Sequence, residues 1–408
     1  MATGTLHTVA PDLHLIEGHH PHNLWDDPDL PTTAVFRSGP RLYLLDTGVG
    51  PEQRDAILEL AKRSAAEEPI EELVLLNSHG HLDHLGNNDV IGEIPAKKAS
   101  HYIPRAARPA LRFESFFGAM YKRGLPYFDY LEGLALPPDA VASLLRALGA
   151  DSGLTGADVA RLGAEIARLG LVPAIGGFVP SLVVDILLQT YPPVFPSIDT
   201  MTDYEELGEA TAIRLGGTDW TGWTFSNAAG EPDVHVLESA GHSAGGVVFF
   251  VPRHRFLMLA DETSSVPIWA DSDPRNAIAT ARKALTMIDG GDIELLCAGH
   301  RPMLPLRGED AQAALHQVIA SGTSFSAAVE NAFRQHPEGL TIDRLYDVLV
   351  RESEPGSTIA VLVSLQFPTF STFLKLTLLN HCLLLGFPER TGEDGRRVFS
   401  LPPEPPRA

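Results

Sequence analysis

The stretch Glu72-Leu73-Val74-Leu75-Leu76-Asn77-Ser78-His79-Gly80-His81-Leu82-Asp83-His84 decides how this chain is read. Residues 72–77 form a short apolar run bounded by polar residues, which suits a buried strand. Three imidazoles and one carboxylate then follow within six positions. A continuous strand would send Asp83 and His84 to opposite faces, so the motif predicts a strand-to-loop transition in which a loop turns all four side chains inward. Neutral imidazole nitrogen and carboxylate oxygen are donors that zinc, iron and manganese accept. The competing reading is a polar surface loop.

Three distant residues weigh against a surface loop. His242 sits in Ala240-Gly241-His242-Ser243-Ala244-Gly245-Gly246, just after the strand-like run 234–239. Asp261 closes the apolar run 256–261, and His300 ends Cys297-Ala298-Gly299-His300 after the run 293–299. Each is a ligand-type residue at a strand's C-terminal end, where layered α/β folds gather their functional loops. Neighbouring Glu262 is read as a non-ligand. The rest of these regions supplies strands at 13–18, 32–38 and 41–48. Pro51 opens an amphipathic helix with Ile57, Leu58, Leu60 and Ala61 near one face, and a second helix spans 274–288.

Two segments differ in character. Residues 102–205 carry helical patterns broken by Pro and Gly, with early aromatics at Phe113, Phe116, Phe117, Tyr121, Tyr127, Phe128 and Tyr130. From about residue 308 helical patterns dominate, and a final helix over 375–387 runs into a small hairpin turning at Gly392-Glu393-Asp394-Gly395. Helix followed by hairpin is similar to a winged-helix module.

Composition narrows the function classes. Lys plus Arg number 31 and Asp plus Glu 52, a formal net charge of −21. Such a surface repels phosphate backbones and anionic lipid, so neither nucleic acid nor membrane is an expected partner. With two cysteines there is no disulfide framework and no cysteine-based zinc site. No signal-like leader and no long apolar span is read, and a cytoplasmic location is the expectation.

Taken together, His79-x-His81-x-Asp83-His84, then Gly241-His242-Ser243-Ala244-Gly245-Gly246, then Asp261, then Ala298-Gly299-His300 resembles the metallo-β-lactamase fold superfamily. Asp46-Thr47-Gly48 matches a further recurrent feature of that group, whereas Leu85-Gly86-Asn87-Asn88 departs from it without touching a ligand. The resemblance implies an α/β fold, a four-layer αββα sandwich. Its catalytic domain would be residues 1–101 and 206–305, interrupted by a helical insertion at 102–205 and followed by a C-terminal helical, winged-helix-like region at 306–408. It implies that His79, His81 and His242 bind one divalent metal, that Asp83, His84 and His300 bind a second, and that Asp261 bridges them. Zinc is the expected metal, with iron or manganese as alternatives. Asp46 is expected to hydrogen-bond beneath the site.

A dinuclear site lowers the pKa of a shared water from 15.7 towards roughly 7, giving a nucleophilic hydroxide that Asp83 can orient and relieve of a proton. The expected function is therefore a metal-dependent hydrolase that uses a bridging hydroxide to cleave an ester, thioester, lactone or related bond. The insertion, read as a cap over the metals, points to an apolar small-molecule substrate; read as a self-packed bundle, it points instead to a homodimer contact. Candidate substrate contacts are His20, His22 and Trp25 in an early loop, Tyr102 at the start of the insertion, and Trp223. For these five the competing readings are a solvated loop, core packing and sheet-face packing. The same ligands also serve sulfatases, hydrolytic dehalogenases, phosphodiesterases and iron-dependent oxygen chemistry. A non-catalytic binding or regulatory protein is the third alternative.

Overall fold

A computed structural model of the chain describes residues 5–19, 29–112, 119, 123–124, 126–128, 201–300, 302, 304–364, 372–392 and 395–402. Most of the helical insertion read from the sequence lies outside these residues, as do His20, His22 and Trp25.

The first sheet has the order β1-β2-β3-β4-β5-β6-β7. Its strands are β1 (Leu6–Ala10), β2 (Leu13–His19), β3 (Asp29–Ser38), β4 (Arg41–Leu45), β5 (Ile70–Leu76), β6 (Ala96–Ile103) and β7 (Thr202–Asp203). Pairing is antiparallel up to β4 and parallel from β4 to β7. The second sheet runs β13-β12-β11-β10-β9-β8. Its strands are β8 (Thr211–Leu215), β9 (Thr218–Ser226), β10 (Pro232–Glu238), β11 (Val247–Val251), β12 (Phe256–Met258) and β13 (Leu295–Cys297), and within it only β12 and β13 pair in parallel.

Residue parity along the strands builds the layers. Leu13, Leu15, Phe36, Tyr43, Leu45, Val74 and Leu76 face Val234, Val236, Phe249, Val251 and Met258 across the two sheets. The intervening residues Ile16, Val35, Leu42, Leu44, Leu73 and Leu75 point the other way, onto Ile57, Leu58, Leu60 and Ala61 of helix α1 (Pro51–Glu67). In the second sheet Leu237, Val248, Phe250, Leu257 and Leu296 likewise turn outward, onto Ala281, Ala284 and Met287 of α3 (Pro274–Asp289) and onto Ala311, Leu315 and Val318. Period-two side-chain alternation with both faces apolar forces a helix layer onto each sheet. The result is the expected αββα sandwich.

The single turn α2 (Leu82–Leu85) follows β5. Beyond β13, helix α4 (Gly308–Gln335) gives its first half to the sandwich and its second half, from Phe325 to Phe333, to a separate core. That core is completed by α5 (Ile342–Glu352), α6 (Thr358–Ser364), α7 (Thr372–Leu384) and the hairpin β14 (Glu389–Thr391) and β15 (Arg397–Phe399). Leu340 bridges Phe399, so a third short segment joins the hairpin as in a winged-helix unit. Helix α7 is sunk in this core nearly all round, with Leu374, Leu376, Leu378, Leu379 and Cys382 buried and Lys375, Thr377, Asn380 and His381 covered too. It is therefore not presented outward as a DNA-reading helix is. Instead Asn380 Nδ2 donates to the carbonyls of Pro267 (3.1 Å) and Ile268 (3.0 Å), beside the functional loops.

Lys375 on α7 and Asp343 on α5 form a buried ion pair at 2.6 Å, with both side chains under a tenth exposed. Removing Asp343 takes from the buried Lys375 ammonium the carboxylate it touches at 2.6 Å. Asp343→Ala is expected to lower stability by about 3–5 kcal/mol in urea denaturation. A loss below about 1 kcal/mol would show that the pair contributes no more than an exposed one.

Candidate metal centre

All but His242 of the functional side chains lie on segments that leave the C-terminal ends of strands in parallel pairs. Asp46 follows β4, and Ser78 and His79 follow β5, with the Asp46 amide donating to the Leu76 carbonyl at 2.9 Å. Asp261 and His300 follow β12 and β13, which are joined beyond their paired residues by Gly299 N–H to Ala260 O at 2.6 Å. His242 comes from the β10–β11 connection. The two sheets are stitched at this edge by Thr32 N–H to Gly299 O (2.8 Å) and Val247 N–H to Ser78 O (3.0 Å).

The motif's second half is one helical turn rather than the expected open loop. Leu82 and Leu85, one turn apart, are both buried, Leu82 in the C-terminal core and Leu85 against Ile103, Ala107 and Leu111. Anchoring both leucines fixes the angle at which Asp83 and His84 enter the site.

Seven side chains converge, in two groups: His79, His81, His242 and Asp261, then Asp83, His84 and His300. In the first, His79 Nε2 lies 3.0 Å from His81 Nδ1, which lies 3.1 Å from His242 Nε2. Asp261 Oδ2 is 3.2 Å from His242 Nε2 and 3.8 Å from His79 Nε2. Ligands 2.0–2.1 Å from a tetrahedral ion stand about 3.3–3.4 Å from one another. The observed spacings straddle that edge length, so the donor set fits a zinc-sized cation. In the second group His300 Nε2 is 3.2 Å from Asp83 Oδ2, and His84 Nε2 is 3.0 Å from Asp261 Oδ1. The contact at Asp261 Oδ1 lacks hydrogen-bond geometry, so both of its atoms are buried polar groups without a hydrogen bond. Asp261 Oδ2 also reaches His300 Nε2 at 3.6 Å, so one carboxylate faces both groups.

Behind these donors stands an orienting layer. Fully buried Asp46 accepts from Ser78 N–H (2.7 Å), Ser78 Oγ (2.7 Å) and His84 Nδ1 (2.9 Å). Carboxylate to Nδ1–H fixes the His84 tautomer and leaves Nε2 as the donor atom towards Asp261. Asp46 itself adopts φ 55°, a left-handed conformation that turns its carboxylate back under the motif. Glu262 accepts from the Gly241 and His242 amides at 3.0 and 3.1 Å and so sets the His242 loop. At Gly299 an added Cβ would stand 2.6 Å from Asp261 Oδ1 and 2.8 Å from His84 Cε1, so no other residue leaves room for that contact.

The electrostatics divide the imidazoles. Burial, reinforced by neighbouring imidazoles, holds His79 well below its usual range and His81 down at about 3; burial also lowers His242. These three are neutral, as ligands must be. Burial opposes the charge on His84 and His300 as well, but Asp261 and its fellow carboxylates outweigh it, raising His84 well above its usual range and His300 to about 9. Asp83 is pulled to about 2, chiefly by His84 and His300 against the cost of burial, and stays ionised.

Two expected substrate contacts belong elsewhere. Tyr102 packs between the sheets, its ring 5.2 Å from Phe225 and 6.0 Å from Tyr204. Trp223 is buried in the same core, stacks on Tyr204 at 5.4 Å and donates its indole N–H to Gly208 O. Strand parity turns both side chains into the inter-sheet core rather than out of the strand ends, so core packing is the correct reading for each. Conversely, sequence reasoning missed Trp269, whose indole stands 4.7 Å over His81 and donates to His242 Nε2. No spacing flags it, because it lies on an irregular strap whose course only the fold supplies.

The metallo-β-lactamase superfamily model matches residues 26–300, more than half of the chain. The chain belongs to the metallo-β-lactamase superfamily. Among solved structures it is similar to a metallo-β-lactamase family protein from Thermus thermophilus, at 14% identity and a TM-score of 0.51, covering 97% of this chain and 100% of that one. A β-lactamase domain protein from Burkholderia ambifaria aligns at 16% identity and TM-score 0.49 over 98% and 94% of the two chains. A stereoselective inverting sec-alkylsulfatase from Pseudomonas sp. aligns at 16% identity and TM-score 0.49, covering 94% of this superfamily member but 51% of the sulfatase. No curated protein matches in sequence. Among the described residues no helix is long and apolar enough to cross a membrane.

Two outcomes follow from the orienting layer and the raised imidazoles. Asp46→Asn keeps the shape but loses the carboxylate on His84 Nδ1, and is expected to weaken metal binding about 10–100-fold in competition with a chelator; unchanged affinity would remove Asp46 from the site. Neighbouring carboxylates raise His300 to about 9 and His84 well above its usual range, which favours a proton on each imidazole at pH 7. A cation must displace those protons, so metal uptake should release protons at pH 7 and strengthen as pH rises towards 9. Calorimetry in two buffers of different ionisation enthalpy reads this directly, and identical heats would contradict it.

Proposed function

We propose that this chain is a dinuclear metal-dependent hydrolase that cleaves an ester, thioester, lactone or related bond in a hydrophobic small molecule. The observation that carries the reading is the convergence of all seven donors at ligand-to-ligand spacing. His79, His81 and His242 would hold one divalent ion, Asp83, His84 and His300 the other, with Asp261 between them. Zinc is the ion we assign, because imidazole nitrogen with carboxylate oxygen at near-tetrahedral spacing suits it.

Bound there, two such ions supply Lewis acidity and a water acidified from 15.7 towards about 7. The protein's own part is positional and electrostatic. Five neutral imidazoles and two carboxylates contribute a charge of −2, which only half offsets two dications. The surplus positive charge suits an anionic transition state. Asp83 and His300 form the accessible side, 27% and 31% exposed, whereas His79 and His84 are almost fully covered. Substrate therefore arrives over Asp83 and His300. Asp83, held ionised, is placed to accept a hydrogen bond from the attacking water and to orient it. Support for an apolar substrate comes from Trp269, whose ring adjoins His81 and His242 and packs against the C-terminal core.

Chelator treatment of the full chain should abolish hydrolysis of its best substrate from a panel of aryl esters, thioesters, lactones, phosphodiesters and sulfate esters. Zinc should then restore it. Asp83→Asn should lower kcat by about 10²–10⁴-fold. Full turnover after metal removal would refute the proposal, and selective turnover of sulfate esters would redirect it to another bond.

A further inference from the structure

Trp269 lies on the strap of residues 262–273 that leads from Asp261 to α3, and its backbone is tied down. The Trp269 amide donates to Ser272 Oγ at 3.1 Å, and that hydroxyl donates to the His242 carbonyl at 2.6 Å. Asn380 of α7 holds the two preceding carbonyls, at Pro267 and Ile268. With the main chain pinned at both sides, the indole can change position only by rotating about its own side-chain bonds.

Its position is specific. The Trp269 indole N–H points at His242 Nε2 at 3.0 Å. The same nitrogen faces His81 Nδ1 at 3.1 Å and Asp261 Oδ2 at 3.2 Å, so it is the donor atom directed into the first group. An indole N–H is a donor only, and a neutral imidazole nitrogen offers one lone pair. The N–H and a cation therefore exclude each other at His242 Nε2.

We propose that Trp269 is a metal-loading latch: its indole N–H caps His242 and swings away from that nitrogen when a cation enters the first group. The inference rests on the metal-centre reading above. The indole ring, already 4.7 Å over His81, then remains as an aromatic wall, and its released N–H becomes a hydrogen-bond donor at the mouth of the site. Asn380 is a positioning residue in this scheme, since it reaches the metal centre only through the strap.

The test uses metal-stripped full-length protein titrated with Zn2+, with zinc uptake measured by elemental analysis and the indoles followed separately. Zn2+ itself has no absorption that quenches tryptophan, so an emission change reports an altered indole environment, and the affinity of the Trp269→Phe variant reports whether the N–H competes with the ion. The chain has four tryptophans. The wild type should change its emission in step with the first equivalent, and Trp220→Phe, remote in the outer core, should keep that change. Trp269→Phe retains the ring over His81 but lacks the N–H. It should lose the emission change and bind the first ion about fivefold tighter, the worth of one net hydrogen bond no longer in competition. Independently of any variant, one indole N–H resonance of ¹⁵N-tryptophan-labelled wild type should shift with the first equivalent. Zinc uptake that leaves every indole resonance and the emission unmoved would overturn the latch while leaving the metal centre standing. Trp269→Phe retaining the wild-type emission change would do the same. Failure to take up zinc at all would overturn the metal centre and the latch together.

Discussion

Two carboxylates and five imidazoles held within a few ångströms of one another, inside the protein and largely away from water, form the constraint on which the rest of this structure depends. Lone pairs facing lone pairs at about 3 Å repel unless a proton or a cation lies between them. The chain meets that cost with rigidity. Asp46, Asp261 and His300 leave the ends of strands in parallel pairs, and His79 follows β5. Ser78, Asp46 and Glu262 hold backbone and ring positions by short hydrogen bonds. Gly299 has no side chain where Asp261 and His84 approach. The crowded carboxylates also raise His84 and His300, favouring protons on the nearest imidazoles.

The layered architecture serves that edge. Sequence parity decides which residues of each strand face the other sheet and which face a helix, and both sheets terminate at the same edge. There the amide of Thr32 and that of Val247 cross from one sheet to the other. A site assembled from two sheets is only as well ordered as this seam. The C-terminal region adds a further support. Its buried helix grips the carbonyls of Pro267 and Ile268, and its core takes in Leu82 from the metal motif and Val266 from the strap. The C-terminal helices and hairpin face inward here, as a wall beside the candidate metal centre.

Much of this was legible in the chain. Short-range spacing around His79 and the position of His242, Asp261 and His300 after apolar runs mark the side chains that the fold gathers, because a residue at a strand end leaves a mark in one dimension. Unbroken apolar runs such as Leu73 through Leu76 mark strands buried on both faces. What failed was what depends on which way a strand residue points once the sheets are stacked. Tyr102 and Trp223 lie close to functional segments in sequence, yet parity turns them into the inter-sheet core. Trp269 had the opposite fate, on a strap with no periodicity, brought to His81 and His242 only by the path between Asp261 and α3. The helical turn at Leu82–Leu85 was hidden too, since four residues are too few to show a period, and its stability comes from two leucines buried in different cores.

The most direct test of the central claim is an anomalous-difference map from crystals of the zinc-loaded full-length protein. The account predicts two peaks about 3.5–4 Å apart, one in contact with His79, His81 and His242, the other with Asp83, His84 and His300, and Asp261 touching both. No peak among these seven side chains, or peaks only at surface carboxylates, would contradict it.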